Sequence, residues 1–291
     1  MTIKANILIT KASGKLVPFA PEKLMRSLTK AGATKEQAEK ILASVKPLLH
    51  PGISTKTIFK NAFRLLKKVS PPKAGKYKLK NAIMELGPSG FPFEKYFAAI
   101  LQHMGYSVQT GVILQGACVK HEVDVIAEKE NQHEMVECKF HQQQGSLCNV
   151  KIPLYIHARF NDVEAGFTDS ASKNNTLHQG WVVTNTRFTT DAIQYGTCAG
   201  LKLIGWNYPK GNSLNNLIDK TGLYPVTALT SLTKKEKQAL LSNDIVLCKN
   251  ILNNPDLMKL AAIVQTKHEA ILQEAKELCK NSNEVAQRET L

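Results

Sequence analysis

The stretch that decides the fold is 121–140, HEVDVIAEKENQHEMVECKF, in which single charged residues interrupt two apolar strand patterns. Asp124 lies between two valines, and Glu137 and Lys139 lie two residues apart in the second pattern. Because alternate side chains of a strand share a face, Glu137 and Lys139 are predicted to point the same way. The polar segment 128–132 predicts a hairpin loop. A turn centred near 130–131 places Asp124 opposite residues 137–138, so two carboxylates and an amine are expected to meet.

This charge pattern favours a metal site over a set of surface charges. The flanking apolar residues predict burial, and charged side chains are rarely buried without partners. A metal cation relieves the repulsion between two carboxylates, and carboxylate oxygens suit Mg²⁺ or Mn²⁺. Lys139 is then placed to orient a water molecule or to stabilise charge that develops on a phosphodiester. The alternative is that Glu137 and Lys139 form an exposed cross-strand ion pair.

Asp124 followed by Glu137-x-Lys139 on the next strand resembles the PD-(D/E)xK nuclease superfamily, above all its Mrr-type restriction endonuclease-like branch. Glu94, in Phe93-Glu94-Lys95-Tyr96, matches an acidic residue that this branch carries on the preceding helix. The resemblance covers about residues 91–206. It implies that Asp124, Glu137 and Glu94 bind the metal and that all three act with Lys139 in catalysis. Val123 stands where the family has proline, and the family's downstream glutamine has three candidates: Gln142, Gln143 and Gln144. His121 and His141 flank the site and are interpreted as supporting or surface residues.

The excess positive charge lies entirely in the first third of the chain. Residues 1–90 contain 18 Lys and Arg but 4 Asp and Glu, whereas the other 201 residues contain 20 of each. This asymmetry indicates an anionic partner, which could be nucleic acid, a nucleotide or a membrane surface. The alternative is a lysine-rich surface that contacts only solvent.

The N-terminal sequence resembles the ATP-cone, a regulatory nucleotide-binding domain, over about residues 3–86. The matching residues are Lys11, Gly14, Lys15, Phe19 and Lys23, whereas Ala12 and Ser13 stand where that family has arginine and aspartate. The resemblance implies ATP or dATP as a regulatory ligand, with Lys11, Lys15 and Lys23 as its contacts. Lysines from a hairpin and a helix start are suited to surround a triphosphate.

The order of patterns predicts an α/β chain of three segments. Residues 1–88 are predicted to form the ATP-cone-like domain, with a hairpin over 6–19 and four helices, the fourth over about 73–86. Residues 89–210 are predicted to form the nuclease-like domain, a restriction-endonuclease-like mixed sheet flanked by helices. Residues 211–291 are predicted to be helical, with a last helix over about 256–284. Two short helices over 232–250 resemble a helix-hairpin-helix without its glycine, and a plain helical bundle is the favoured alternative.

Composition excludes several classes of protein. No apolar run approaches the length of a membrane span, and the N-terminus lacks a secretory signal, so a cytoplasmic protein with no membrane partner is expected. The six cysteines form no C-x-x-C pair, which argues against a zinc ribbon.

The functional prediction is a metal-dependent DNA endonuclease regulated by ATP or dATP. A homodimer or higher homo-oligomer is expected because cutting both strands of a duplex generally needs two sites. The alternative is a catalytically inactive protein that binds nucleic acid or responds to nucleotide as a regulator.

Overall fold

The computed structural model describes residues 7–11, 13–168 and 177–280. The chain has a mixed α/β fold, as the sequence predicts. Its residues form two compact units. The first unit combines the N-terminal segment up to Ala82 with Tyr224–Cys279, and the second comprises Ile83–Leu223. Within the described ranges, no helix has both the length and the apolar character that crossing a membrane requires.

The N-terminal segment begins with the predicted hairpin, in which β1 (Leu8–Thr10) pairs antiparallel with β2 (Leu16–Pro18). Gly14 takes φ +78° in the turn, a conformation that glycine adopts without steric penalty. The helices that follow are α1 (Pro21–Lys30), α2 (Lys35–Val45), α3 (Thr55–Val69), α4 (Pro71–Tyr77) and α5 (Leu79–Met84). Thr34 and Gln37 have the residue types and spacing that predict a capping box, and such a box begins α2. The single helix predicted over 73–86 is wrong, because the chain forms two short helices that separate at Lys78.

The second unit contains a five-stranded mixed sheet. Its elements are α6 (Phe91–His103), β3 (Ser107–Gln115), β4 (Lys120–Lys129), β5 (Gln132–Lys139), β6 (Leu147–Cys148), α7 (Lys151–Thr168), β7 (Leu177–Thr184), β8 (Arg187–Phe188), α8 (Thr190–Cys198), β9 (Lys202–Ile204) and α9 (Leu214–Thr221). The strand order is β3-β4-β5-β7-β9, antiparallel from β3 to β5 and parallel from β5 to β9. Apolar patterns in the sequence predict five strands, over about 106–114, 121–127, 133–140, 180–184 and 201–206, which correspond to the strands of this sheet. They do not predict the short parallel pair of β6 and β8.

The hairpin between β4 and β5 sets the register on which the candidate site depends. Glu130 and Asn131 have φ values of 53° and 61°, so a two-residue loop replaces the five-residue loop expected from the polar sequence. Two left-handed residues are typical of the tight turn whose twist matches that of its strands. Lys129 then pairs with Gln132, and the pairing continues to Val125 opposite Val136. The next position in this register aligns Asp124 with Glu137, as predicted.

The C-terminal residues of the first unit form α10 (Lys234–Ser242), α11 (Cys248–Asn253), α12 (Leu257–Leu260) and α13 (His268–Leu278). The single long helix predicted over 256–284 is wrong, since Ala262 takes φ +50° between α12 and α13, and 281–284 lie outside the described residues. Two helices do flank Asp244, whose own φ of +61° supplies the turn conformation for which glycine was expected.

The first unit is discontinuous in sequence because α13 packs against α4. Gly75 permits this close packing, since a Cβ there would lie 2.9 Å from the carbonyl oxygen of Ala228 and 3.3 Å from Leu278 Cδ1. Residues 224–279 therefore fold with the N-terminal segment, and residues 211–223 fold with the mixed sheet. This grouping differs from a separate C-terminal segment that starts at residue 211.

Candidate functional site

Asp124 lies where β4 and β5 separate. The pairing of β4 with β5 ends at Val125 and Val136, whereas β5 continues beside β7 as far as Lys139. The backbone N–H of Cys138 donates to Oδ2 of Asp124 at 2.7 Å. The N–H of Cys138 has no backbone acceptor on β4, and the Asp124 carboxylate accepts its hydrogen bond instead. This bond fixes the position of the Asp124 side chain where the two strands separate. Its second oxygen, Oδ1, is left to accept another ligand.

Glu137 lies next to this point and is held by an arginine that the sequence interpretation missed. Arg159 of α7 is 9% exposed, and its Nη1 donates to Oε2 of Glu137 at 2.7 Å. Its Nη2 donates to the carbonyl oxygen of Glu122. One feature of the sequence could have revealed Arg159. The segment that forms α7 is largely apolar and contains a single arginine, and the strands of the site contain more carboxylates than cations. Sequence alone gave no spatial link between α7 and β5.

Burial and mutual repulsion raise the pKa values of the carboxylates. The pKa of Glu137 rises to about 7, first because of burial and then because of Asp124, although Arg159 and Lys139 oppose the rise. Burial also raises the pKa of Asp124, against the hydrogen bond from Cys138. An array of this kind favours a bound cation or bound protons over isolated negative charges.

Glu94 belongs to the same electrostatic cluster. It lies in the first turn of α6, and burial followed by repulsion from Asp124, Glu137 and Glu122 raises its pKa to about 7. Phe93 fixes this turn through a ring contact with Phe140 at 5.7 Å. The structure therefore brings the predicted Glu94 into the field of the two strand carboxylates. Glu122 is a further member that the sequence interpretation did not select.

Lys139 is exposed at the end of β5. It lies two residues from Glu137, so its side chain is on the same face. Its positive charge lowers the pKa values of Asp124 and Glu137. The three predicted groups thus interact electrostatically at one end of two strands.

The flanking polar residues have structural contacts. His121 Nε2 lies 2.7 Å from Oδ2 of Asp162. The backbone of His141 is bound on both sides by Asn185, whose Oδ1 accepts from His141 N and whose Nδ2 donates to His141 O, each at 2.8 Å. Burial and the charge of Lys139 lower the pKa of His141, so its ring is neutral at pH 7. Of the three candidate glutamines, Gln142 donates to the carbonyl oxygen of Pro88 at 2.6 Å, and Gln143 and Gln144 follow it in an exposed segment.

The chemistry of this donor set fits a Mg²⁺ ion held by few protein ligands. Across residues 7–11, 13–168 and 177–280, no group of three or more His, Cys, Asp or Glu side chains is arranged to surround a metal. Mg²⁺ commonly keeps several waters and uses one or two carboxylates together with substrate phosphate. Asp124 Oδ1 and Glu137 Oε1 supply such a pair, and Glu94 lies close enough to act electrostatically.

The predicted nucleotide contacts lie around the N-terminal hairpin. Lys11 and Lys15 flank the turn, where the backbone N–H of Lys11 donates to the carbonyl oxygen of Lys15 at 3.0 Å. Lys23 lies in the first turn of α1, and all three lysine side chains are exposed. Ala12, which stands where the ATP-cone family has arginine, lies outside the described residues.

Fold and site define a mixed α/β protein whose sheet carries a carboxylate cluster beside a lysine. Residues 224–279 match the family described as AF1548-like, C-terminal. An uncharacterised protein of Archaeoglobus fulgidus is 34% identical over 183 residues, which are 62% of this chain and 98% of that protein. A crystal structure of a protein of unknown function, AF1548, matches with a TM-score of 0.54 and 31% identity, over 66% of this chain and 98% of that one. The chain therefore belongs to the AF1548-like family.

Proposed function

We propose that this protein is a metal-dependent DNA endonuclease that hydrolyses phosphodiester bonds. The observation that carries the proposal is the convergence of Asp124, Glu137 and Lys139 where β4 and β5 separate. A surface ion pair would not need a carboxylate fixed by a backbone N–H at the end of a buried ladder. Nor would it need a second carboxylate held by a nearly buried arginine.

In this proposal Asp124 and Glu137 hold Mg²⁺ or Mn²⁺, and Glu94 adds negative charge beside them. The metal, when bound, supplies positive charge to the scissile phosphate and lowers the pKa of a bound water. Lys139 orients the attacking water and stabilises the negative charge that develops on the phosphate oxygens. Arg159 keeps Glu137 in position, since its guanidinium is bound to both Oε2 of that residue and the backbone of Glu122.

The test is cleavage of supercoiled and linear DNA with Mg²⁺, with Mn²⁺ and with a chelator. Asp124→Ala and Lys139→Ala are each expected to reduce cleavage at least about 100-fold, since each removes a group that acts in the transition state. Glu128→Ala and Lys120→Ala are the matched controls, because they remove an exposed carboxylate and an exposed lysine from β4, away from the cluster. Equal loss in the controls, or cleavage that resists the chelator, would contradict the assignment.

A binding protein without catalytic activity is the second candidate. It is favoured by one observation, the exposed position of Lys139, which suits contact with phosphate as well as catalysis. In that case wild type and Lys139→Ala bind DNA in a mobility-shift assay but neither cleaves it. Metal-dependent cleavage by the wild type decides between the two candidates.

The N-terminal hairpin is proposed to bind ATP or dATP and thereby to regulate cleavage or self-association into a homodimer or higher oligomer. The exposed Lys11 and Lys15 beside the turn and the excess positive charge of residues 1–90 support an anionic ligand. Replacing Lys11 and Lys15 by Gln is expected to weaken ATP and dATP binding about 10-fold or more in calorimetry. Replacing Lys56 and Lys60, exposed lysines of α3, is the matched control. Regulation at this hairpin would be refuted if the hairpin variant bound ATP and dATP as tightly as the wild type. It would also be refuted if nucleotide changed neither the rate of DNA cleavage nor the mass of the assembly in solution.

A further inference from the structure

Two of the six cysteines lie in contact inside the first unit. Cys248 is the first residue of α11 and Cys279 is the residue that follows α13. These two helices pack on each other, and the two cysteine side chains lie close enough to interact. Both cysteines are free, Cys248 is fully buried and Cys279 is 9% exposed. Thirty-one positions of sequence separate them, so tertiary packing alone brings these sulfur atoms together.

Tyr224 and its neighbour hold this thiol pair in place. The carbonyl oxygen of Tyr224 accepts from the backbone N–H of Cys248 at 2.9 Å, and the backbone of Tyr224 is hydrogen-bonded to the thiol of Cys279. The Cys248 Sγ lies 3.3 Å from the carbonyl oxygen of Pro225, so its one thiol hydrogen points either to that oxygen or to the Cys279 sulfur. Tyr224 and Cys279 are also the ends of the segment that matches the AF1548-like family. The pair therefore lies where the two ends of that segment meet.

The charged groups around the pair favour ionisation of one sulfur. The hydrogen bond from Cys248, the backbone of Tyr224, and the charges of Lys249 and Lys76 lower the pKa of Cys279 against the effect of burial. Lys76 of α4 is held nearby over the ring of Tyr224, 5.5 Å from its centre. Burial and the adjacent Cys279 raise the pKa of Cys248, with Glu274 adding to the rise. The pair thus combines a nucleophilic sulfur with a resolving thiol.

We propose that Cys248 and Cys279 are a redox-modification site, which hydroperoxides oxidise to an intramolecular disulfide. The Cys279 thiolate attacks the terminal oxygen of the hydroperoxide, and the O–O bond breaks, so that a sulfenic acid forms. The leaving alkoxide, or hydroxide from hydrogen peroxide, takes up the proton that the Cys279 thiol released on ionising and departs as alcohol or water. The Cys248 sulfur then attacks the sulfenic sulfur, so an S–S bond forms, the S–O bond breaks, and the hydroxyl leaves with the Cys248 proton as water. The two sulfurs lose two electrons and the peroxide gains them. The new bond joins α11 to the end of α13.

The other cysteines provide internal controls. Cys118 and Cys198 are exposed, whereas Cys138 and Cys148 are buried. Burial raises the pKa of Cys148 to about 12 and that of Cys138 well above its ordinary value, which keeps both as unreactive thiols. Peroxide reactivity at the Cys248–Cys279 pair with none at Cys138 and Cys148 would show that burial alone does not decide the outcome.

The experiment is peptide mapping by mass spectrometry of the full chain after exposure to hydrogen peroxide, without reduction. The background variant carries Cys118→Ser and Cys198→Ser, which removes the exposed thiols. The expected product is a peptide containing both Cys248 and Cys279 with two hydrogens lost, and a thiol reductant restores the two separate peptides. The oxidised protein is expected to have a higher thermal midpoint than the reduced protein, because the disulfide closes a loop.

Cys279→Ser is expected to abolish the cross-linked peptide and to leave Cys248 as a free thiol. The cross-link is detected in protein that keeps both Cys248 and Cys279. The main result therefore does not depend on whether Cys279→Ser folds. The proposal is overturned if Cys248 and Cys279 stay reduced at peroxide concentrations that oxidise Cys118 and Cys198 in the wild type. It is also overturned if Cys279 passes to the sulfinic acid without a cross-link.

Discussion

Replacement of Arg159 by Met is the sharpest test of the carboxylate site, because one nearly buried side chain neutralises Glu137. The Nη1–Oε2 distance is 2.7 Å, and the two side chains are 10% and 16% exposed. At an effective dielectric constant of about 20, two opposite charges about 4 Å apart attract by roughly 4 kcal/mol. Removing one partner of a buried pair typically destabilises a protein by about 3–5 kcal/mol, since it leaves the other charge uncompensated. Partial exposure reduces the expected loss to about 3 kcal/mol.

The loss should depend on pH, since the pKa of Glu137 is about 7. Above that pH Glu137 is ionised and needs Arg159, whereas below it the protonated carboxyl does not. One pH unit above a pKa of about 7, ionisation of Glu137 contributes at most about 1.4 kcal/mol. We therefore expect the destabilisation by Arg159→Met to be about 1–1.5 kcal/mol larger near pH 8 than near pH 5.5. Adding Glu137→Gln to Arg159→Met should remove this pH dependence, and Mg²⁺ should recover part of the loss in the single variant.

Urea unfolding followed by tryptophan fluorescence measures the free energy of unfolding of the second unit, which contains Arg159 and Glu137. Both tryptophans, Trp181 and Trp206, lie within Ile83–Leu223. Lys139→Met serves as the control, since it removes an exposed cation from the same face and should change the free energy of unfolding little. If Arg159→Met has the same effect at both pH values and Glu137→Gln gives no rescue, the reasoning is refuted. Arg159 would then act through packing or through its bond to Glu122.

Three further predictions concern stability. In chelator, unfolding followed by tryptophan fluorescence should show stability falling as pH rises from about 4.5 to about 7. The folded state binds protons at Glu94 and Glu137 that the unfolded state has released, and Glu94→Gln should reduce the slope. Gly75→Ala should destabilise the first unit by about 1–3 kcal/mol in thermal unfolding followed by circular dichroism, because the new Cβ would lie 2.9 Å from a carbonyl oxygen. An unchanged midpoint would contradict that close packing. Tyr96→Phe should lower the free energy of unfolding by about 1–2 kcal/mol, because the buried hydroxyl donates to Leu223 O at 2.6 Å. Equal stability of the two proteins in urea would count against the bond.

The Archaeoglobus fulgidus relative is matched over 98% of its length but over 62% of this chain, so this chain carries additional residues. The family segment 224–279 folds together with the N-terminal segment. Experiments on the nucleotide proposal should therefore use the full chain, because separating the N-terminal residues would remove their packing partner.

The strand register was predictable because it follows from local rules. Alternating apolar residues fixed the faces of β4 and β5, and the polar loop between them located the turn. Together these predicted that Asp124 lies opposite residues 137–138, which agrees with a ladder that ends with Val125 opposite Val136. Helix caps are equally local, since Thr34 and Ser54 are residue types that favour the N-cap position and each begins a helix. Breaks without glycine or proline, such as those at Lys78 and Ala262, left no comparable signal, and longer helices were predicted there.

The sequence by itself thus determined the fold class, the centre of the hairpin turn and the clustering of Asp124, Glu137 and Lys139, because strand periodicity and turn position depend on neighbouring residues. The turn itself is shorter than the sequence predicted. Tertiary structure alone decided that Arg159 neutralises Glu137, that Glu94 joins the cluster, and that Cys248 contacts Cys279. It also decided that residues 224–279 fold with the N-terminal segment. These contacts join residues far apart in the chain, and their geometry depends on how helices pack, which no local pattern of residue types specifies.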